Sequence, residues 1–99
     1  MQVYELSGIQ RDLLFVTAGA GGANGQQIKE RLESSQGRDV LPGRLYTNLD
    51  ALVERGLVEK RRCDGRTNLY DATDEGIRKL ERLCRWQEQF LDDVTLSSD

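Results

Sequence analysis

Apolar residues recur at helical spacing in the first part of the chain, and a glycine cluster then interrupts the pattern. Ile9, Leu13 and Val16 fall on one face of a helix, and a Ser-x-x-Gln capping box stands at its start. This pattern predicts a first helix from about Ser7 to Ala18. The glycine-rich stretch from Gly19 to Gly25 is interpreted as the connection that ends it.

Two further helices are predicted after this connection. Asn24 is a residue type that caps free amides, so a second helix is expected to begin there with Ile28 and Leu32 as its apolar edge. The third helix is expected to open at Pro42, because proline's missing N–H has no partner at a first helical position, and to close at Gly56. Its stripe has the i, i+4, i+7, i+8 pattern of a buried face: Leu45, Leu49, Leu52 and Val53.

The apolar period changes after the third helix. Two short segments, Leu57–Arg62 and Thr67–Ala72, flank the sequence Cys63-Asp64-Gly65-Arg66. Asp-Gly between two candidate strands predicts a two-residue hairpin turn, in which both central residues have positive φ. Thr73 then caps a long last helix that is predicted to reach about Val94, with a frayed tail beyond it.

Three helices, a basic hairpin and one more helix, in that order, are typical of a winged helix-turn-helix. We therefore predict a mainly α protein with a small β-hairpin (α+β), in which residues 1–72 form the winged region. Residues 73–99 form a C-terminal dimerisation helix and its tail, within one compact domain. In this architecture the third helix lies in the major groove of double-stranded DNA and the hairpin is the wing.

Composition limits the classes of function. The chain has 99 residues, of which 37% are hydrophobic and 31% charged, as in a single soluble domain. It contains no histidine, the commonest acid–base catalyst, and its two cysteines, Cys63 and Cys84, are too few for a structural zinc site. No catalytic residue, metal or cofactor is expected. Because no apolar run reaches about 18 residues and no secretion signal is seen, a cytoplasmic location is predicted.

The overall charge does not favour a nucleic-acid partner, since the net charge is −3 and the pI is near 5.0. The charge is uneven, however: Lys60, Arg61, Arg62 and Arg66 crowd one short stretch, and local charge decides docking on phosphate. Arginine supplies most of the basic positions. An acidic chain with little lysine is typical of high-salt adaptation, and a GC-biased genome would give the same shortage.

Two surfaces carry side chains suited to DNA. On the third helix, away from the leucine stripe, the candidates are Gly43, Arg44, Tyr46, Thr47 and Asn48. Arginine can donate a bidentate pair to guanine, and asparagine can pair with adenine. On the wing, the candidates for contact with the backbone or the minor groove are Lys60, Arg61, Arg62, Arg66, Thr67 and Asn68. A charged hairpin that is merely solvated is the alternative interpretation.

Three motifs resemble those of the PadR family of bacterial and archaeal transcriptional regulators. The run Asn24–Ile28 resembles the family's Gly-Tyr-Glu-Ile helix start, and Pro42–Tyr46 resembles its Pro-Gly-Thr-Leu-Tyr recognition helix. The wing closes on residues that resemble Tyr-x-Leu-Thr-x-x-Gly: Tyr70, Thr73, Glu75 and Gly76. The resemblance implies a repressor that dimerises through its C-terminal helix, with Tyr46 among the DNA-facing residues. Three departures leave the preferred DNA sequence open: Arg44, Thr47 and Ala72.

The last helix carries two adjacent apolar stripes, more than one small domain can cover. Ile77, Leu80 and Cys84 are expected to pack on the winged core. The residues left for a second copy of the chain, in a homodimer interface, are Leu83, Trp86, Phe90 and Leu91. The alternative is that all of them serve the monomer's core.

Other hypotheses stay open. Cys63 lies among arginines, and positive neighbours favour the reactive thiolate, so a redox-sensing wing is one hypothesis and an incidental thiol the alternative. A winged-helix module that binds protein would suit the acidic balance. A non-specific architectural DNA protein would distinguish little between an operator and a random duplex. No effector ligand follows from the sequence.

Overall fold

The computed structural model describes residues 5–94, in which four helices and three short strands follow one another in the order of a winged helix. The prediction of three helices, a hairpin and a last helix is confirmed. The elements are α1 (Gly8–Ala20), β1 (Ala23–Asn24), α2 (Gly25–Gln36), α3 (Pro42–Glu54), β2 (Val58–Arg62), β3 (Asn68–Ala72) and α4 (Asp74–Leu91).

Reciprocal side-chain caps fix where the first two helices begin. The Ser7 hydroxyl accepts from the Gln10 N–H at 3.3 Å, and the Gln10 side chain accepts from the Ser7 N–H at 3.4 Å. Asn24 and Gln27 repeat the arrangement at 2.8 and 2.9 Å, so the predicted cap at Asn24 is a full capping box. Gly21 caps the end of α1 with a left-handed φ of 64°.

The short loop between α2 and α3 is held by one carboxylate. Gly37 ends α2 with a φ of 66°, and the Glu33 side chain accepts the Val40 N–H at 2.8 Å. Lys29 lies 3.0 Å from the same carboxylate. The Val40 hydrogen bond and then the Lys29 ammonium lower the pKa of Glu33, so the carboxylate stays charged and fixes the entry into α3.

The sheet has a third strand that the sequence pattern did not reveal. β1 pairs with β3, Ala23 facing Tyr70 and Asn24 facing Leu69, and the strand order is β1-β3-β2. The glycine-rich stretch was expected to be a plain connection, and Ala23 and Asn24 near its end instead form an edge strand. Two residues are too few to show any alternation, so only their pairing with β3 defines them.

The predicted two-residue hairpin turn is wrong. The last strand pair joins Arg62 and Asn68, which leaves five residues between the strands. The Asp64 carboxylate accepts the N–H groups of Arg66 and Thr67, at 3.2 and 3.3 Å, and neither Asp64 nor Gly65 has a positive φ. The aspartate side chain therefore stabilises a longer turn, because it satisfies two amides that a tight turn would leave to the backbone.

Apolar faces of the first three helices meet in one core. The stripes predicted for α2 and α3 are confirmed, except that Val53 is half-buried. On α1 the helix is rotated from the prediction, because Leu14 and Thr17 are buried while Ile9 and Val16 are only half-buried. The largest fully buried apolar residues are Leu13, Leu14, Ile28, Leu32, Leu45, Leu49, Leu52 and Val58.

A close backbone contact sets the rotation of α4. A Cβ at position 76 would overlap the carbonyl of Leu57, so Gly76 lets the helix lie directly on the backbone just before β2. Gly76, Leu80 and Leu83 consequently face the core. The expectation that Ile77 packs there is wrong, since this side chain is 38% exposed.

α4 ends at Leu91, three residues before the predicted end at Val94. The tail predicted to be frayed, residues 95–99, lies outside the described residues. Among the described helices, none has the length and the apolar character needed to span a membrane.

Candidate nucleic-acid interface

The burial of the leucine stripe turns the opposite side of α3 outward. Leu45, Leu49 and Leu52 are fully buried, whereas Arg44 and Thr47 are exposed. The Arg44 side chain makes no hydrogen bond or ion pair with any residue from 5 to 94. The first two turns of α3 therefore present the unpaired guanidinium of Arg44 and the hydroxyl of Thr47 on an accessible helix face. Such groups can form hydrogen bonds with base edges.

Asn48 lies at the boundary between α3 and α1 rather than on this outer face. Its side chain accepts from the Gln10 amide at 3.2 Å and donates to the Arg44 carbonyl at 2.8 Å. These bonds fix α3 against α1, a positioning role for which the sequence showed no signal. Direct contact of Asn48 with a base stays a prediction. Its side-chain amide already makes two hydrogen bonds within the protein.

Tyr46 flanks α3 on the other side, where it covers the start of α2. Its side chain is 40% exposed, and its ring lies against the α-carbon of Gly25. Any Cβ at position 25 would overlap the ring and the hydroxyl of Tyr46. The sequence indicated Gly25 only as part of a glycine-rich connection and of a family motif, and the structure shows that its missing side chain leaves room for the ring of Tyr46.

The basic residues of the wing are divided between its two faces. Side chains alternate along a strand, so Lys60 and Arg62 share one face of β2 and Arg61 projects from the other. The Lys60 ammonium lies 3.6 Å from the Asp50 carboxylate, which shows that the first face is turned toward α3. Arg61 lies 3.7 Å from Glu59 on the far face. The four clustered basic positions therefore do not form one surface.

The tip of the wing contains one bound and one uncommitted arginine. Arg62 donates to the Gly65 carbonyl at 2.8 Å and so supports the turn. The Arg66 guanidinium has no hydrogen bond or ion pair with the part of the chain from 5 to 94. Cys63, the first residue after β2, is an exposed free thiol. The redox hypothesis for Cys63 stays a prediction.

A cleft of about 240 Å³ joins the three elements at this surface. It connects the start of α2, the first turns of α3 and the part of the wing from its turn into β3. Four of the sequence-predicted DNA residues, from both the helix and the wing, meet in it. Its lining residues are Asn24, Gly25, Gln26, Tyr46, Arg66, Thr67, Asn68 and Tyr70.

A second exposed surface lies at the end of α4. Trp86 and Phe90 are 57% and 55% exposed, and their rings meet edge to face with centroids 5.0 Å apart. Leu91 and Val94 are exposed beside them, whereas Leu83 is half-buried against the core. Of the four residues predicted at a dimer interface, three are therefore uncovered in the isolated chain.

Comparison with known proteins agrees with this geometry. Residues 13–82 match the model of the transcriptional regulator PadR-like family. RosR of Halobacterium salinarum is 40% identical over 92% of this chain and 83% of its own, with a TM-score of 0.82. PcaV of Streptomyces coelicolor, a transcriptional regulator solved with its natural ligand, is 28% identical over 93% of this chain and 65% of its own, with a TM-score of 0.67.

A PadR-like transcription factor from Bacteroides fragilis shares the fold, with a TM-score of 0.76 over 85% of this chain and 84% of its own at 17% identity. No curated protein sequence matches the chain. The family model covers well over half of the chain, and RosR is similar along almost all of it. The chain therefore belongs to the PadR-like family and is a DNA-binding transcriptional regulator rather than an enzyme.

Proposed function

We propose that the protein acts as a homodimeric repressor, with α3 in the major groove and the wing on the DNA backbone or in the minor groove. The observation that carries this proposal is the shared cleft, in which Tyr46 of α3 and Arg66 of the wing line one surface. A helix and a hairpin that share a surface can contact one stretch of duplex together. The PadR-like membership supports the same arrangement.

Base reading is assigned to the first two turns of α3. Arg44 and Thr47 are exposed there and uncommitted, so they supply a bidentate donor for guanine and a methyl group for thymine. Asp50 and Glu54 are exposed farther along the same outer half. Their negative charge opposes approach to phosphate, which limits contact to the beginning of the helix.

Phosphate contacts are assigned to the wing face that is turned toward α3. Lys60, Arg62 and Arg66 supply its positive charge, whereas Arg61 lies on the far face with Glu59. Such contacts position the protein and carry no sequence information of their own. A regulator of this kind acts where the chromosome is, and we place it in the cytoplasm.

Selection of duplexes from a randomised pool, followed by footprinting, tests the proposal. We expect an approximately two-fold symmetric site, because each protomer of a dimer would read one half. Arg44→Ala should weaken binding to the selected site by about tenfold and relax preference at one base pair in each half. Arg78→Ala removes an exposed arginine of α4 that pairs with Glu75, and should leave binding unchanged.

Two outcomes would contradict the proposal. Failure to enrich any duplex, together with capture of a protein partner, would favour the protein-binding module. Equal affinity for selected and random duplexes would favour a non-specific architectural protein. The repressor assignment is tested separately by transcription from a promoter that contains the selected site, where added protein should lower transcript yield.

A further inference from the structure

The side chain of Tyr70 is buried, and its hydroxyl has no partner among residues 5–94. Tyr70 lies on β3, the central strand of the sheet, and is only 3% exposed. Within residues 5–94 its hydroxyl makes no hydrogen bond. Its side chain lines the cleft between α2, α3 and the wing, so a group that enters the cleft can reach it.

The other walls of the cleft are donors or cations. The Asn24 side chain caps the N–H of Gln27, which leaves the N–H groups of Gly25 and Gln26 at the first turn of α2 for an outside acceptor. The Tyr46 hydroxyl lies beside Gly25 and has no hydrogen bond with any described residue. Arg66 adds an unpaired positive charge, and the positive end of the α2 dipole points the same way.

We propose that this cleft binds one phosphodiester group of the DNA backbone, with the hydroxyls of Tyr70 and Tyr46 and the first amides of α2 donating to its oxygens. Arg66 neutralises its charge. The inference rests on the proposed function and extends it, because it makes Tyr70, a buried strand residue, a DNA contact. It also explains why position 25 is glycine: a side chain there would displace Tyr46 from the cleft.

The charge state of the cleft suits this ligand. Burial, and then the nearby Asp50 carboxylate, raise the pKa of Tyr70, so that its hydroxyl is protonated and can donate at neutral pH. Asp50 is the acidic group that faces Tyr70, and Lys60 lies 3.6 Å from it. Lys60 therefore offsets the repulsion that Asp50 would exert on a phosphate.

The test compares two variants that each remove one hydroxyl with no hydrogen-bond partner among residues 5–94. Tyr70→Phe should weaken binding by about tenfold, the value of a hydrogen bond to a charged group. The loss should be equal for the selected site and for a random duplex, because a phosphate contact carries no sequence information. Thr17→Val removes the hydroxyl of a fully buried residue in α1, away from the cleft, and should leave binding unchanged.

Salt dependence separates the roles of the cleft residues. Tyr70→Phe removes a neutral donor, so the slope of log K against log salt should stay as in the wild type. Arg66→Gln should lower the affinity and reduce that slope by about one. Duplexes with a single neutral methylphosphonate, scanned along the backbone, should reveal one position per half-site at which the loss of affinity is smaller for Tyr70→Phe than for the wild type, because the variant has already lost one contact to that phosphate.

The failures of the two proposals are distinguishable. If the wild type binds the selected duplex and Tyr70→Phe, still folded by its melting curve, binds it equally well, the phosphate cleft is refuted and the regulator assignment stands. A loss confined to the selected site would also refute it, since base reading would then be involved. If the wild type binds no duplex, both proposals fail.

Discussion

At the scale of single residues, the hydroxyl of Thr17 is a polar group buried in the apolar core. Thr17 is fully buried, and its hydroxyl is without a partner among residues 5–94. Valine has nearly the same shape and no polar atom to desolvate. Thr17→Val should therefore raise the free energy of unfolding by about 1 kcal/mol, measured by urea denaturation. A decrease would show that the hydroxyl is satisfied in solution.

A substitution at Gly76 should have the opposite effect on stability, because the space beside this residue is occupied. An alanine Cβ would overlap the Leu57 carbonyl, and backbone cannot move aside as a flexible side chain can. Gly76→Ala should destabilise the fold by about 3 kcal/mol and lower the melting temperature. Gly19→Ala is the matched control, since Gly19 lies in α1 with nothing within 4 Å of such a Cβ. That substitution should be neutral or slightly stabilising.

At the scale of elements, what the sequence predicts depends on whether the signal is local. α2 and α3 could be predicted because each has apolar residues on one side only. The stripe of Leu45, Leu49 and Leu52 therefore identifies the buried face of α3 without knowledge of its neighbours. β1 could not, because it exists only through its pairing with β3. The rotation of α4 was likewise hidden, since the contact of Gly76 with Leu57 decides which stripe faces the core.

The candidate site shows the same limit. The outer residues of α3 were predictable from the leucine stripe, whereas the division of the basic wing residues required the strand register. The sequence indicates Tyr70 only as a residue of a short strand and of the family motif. Its hydroxyl becomes informative once Tyr70, on the central strand β3, is seen to line the cleft with Tyr46 and Arg66.

The two faces of the wing give a direct test at this scale. Arg62→Glu should weaken DNA binding by about tenfold or more, because the negative charge would stand on the face turned toward α3. Arg61→Glu makes the same charge change on the opposite face, beside Glu59, and should have a much smaller effect. Electrophoretic mobility shifts measure both affinities. Equal losses would mean that both faces of the wing contact DNA.

At the scale of the whole molecule, the acidic balance bears on stability. The net charge is −3 with little lysine, and RosR, which is 40% identical, comes from a halophile. If the surface is adapted to salt, screening of its self-repulsion should raise the melting temperature between about 0.1 and 1 M KCl, where the Debye length falls from about 10 to 3 Å. An unchanged melting temperature would favour a GC-biased genome as the origin of the arginine preference.

The proposed dimer follows from the apolar surface at the end of α4. Trp86, Phe90 and Leu91 are all more than half exposed, and an edge-to-face aromatic pair beside an exposed leucine is typical of an interface anchor.

Sedimentation at micromolar concentration should give a dimer. Trp86→Asp should give a folded monomer, because Trp86 contributes little to the core. Since a monomer engages only one half-site, its affinity for a symmetric operator should fall steeply while its affinity for an isolated half-site is retained. A wild-type monomer in solution, or a Trp86→Asp protein that still dimerises, would place the interface elsewhere on the chain.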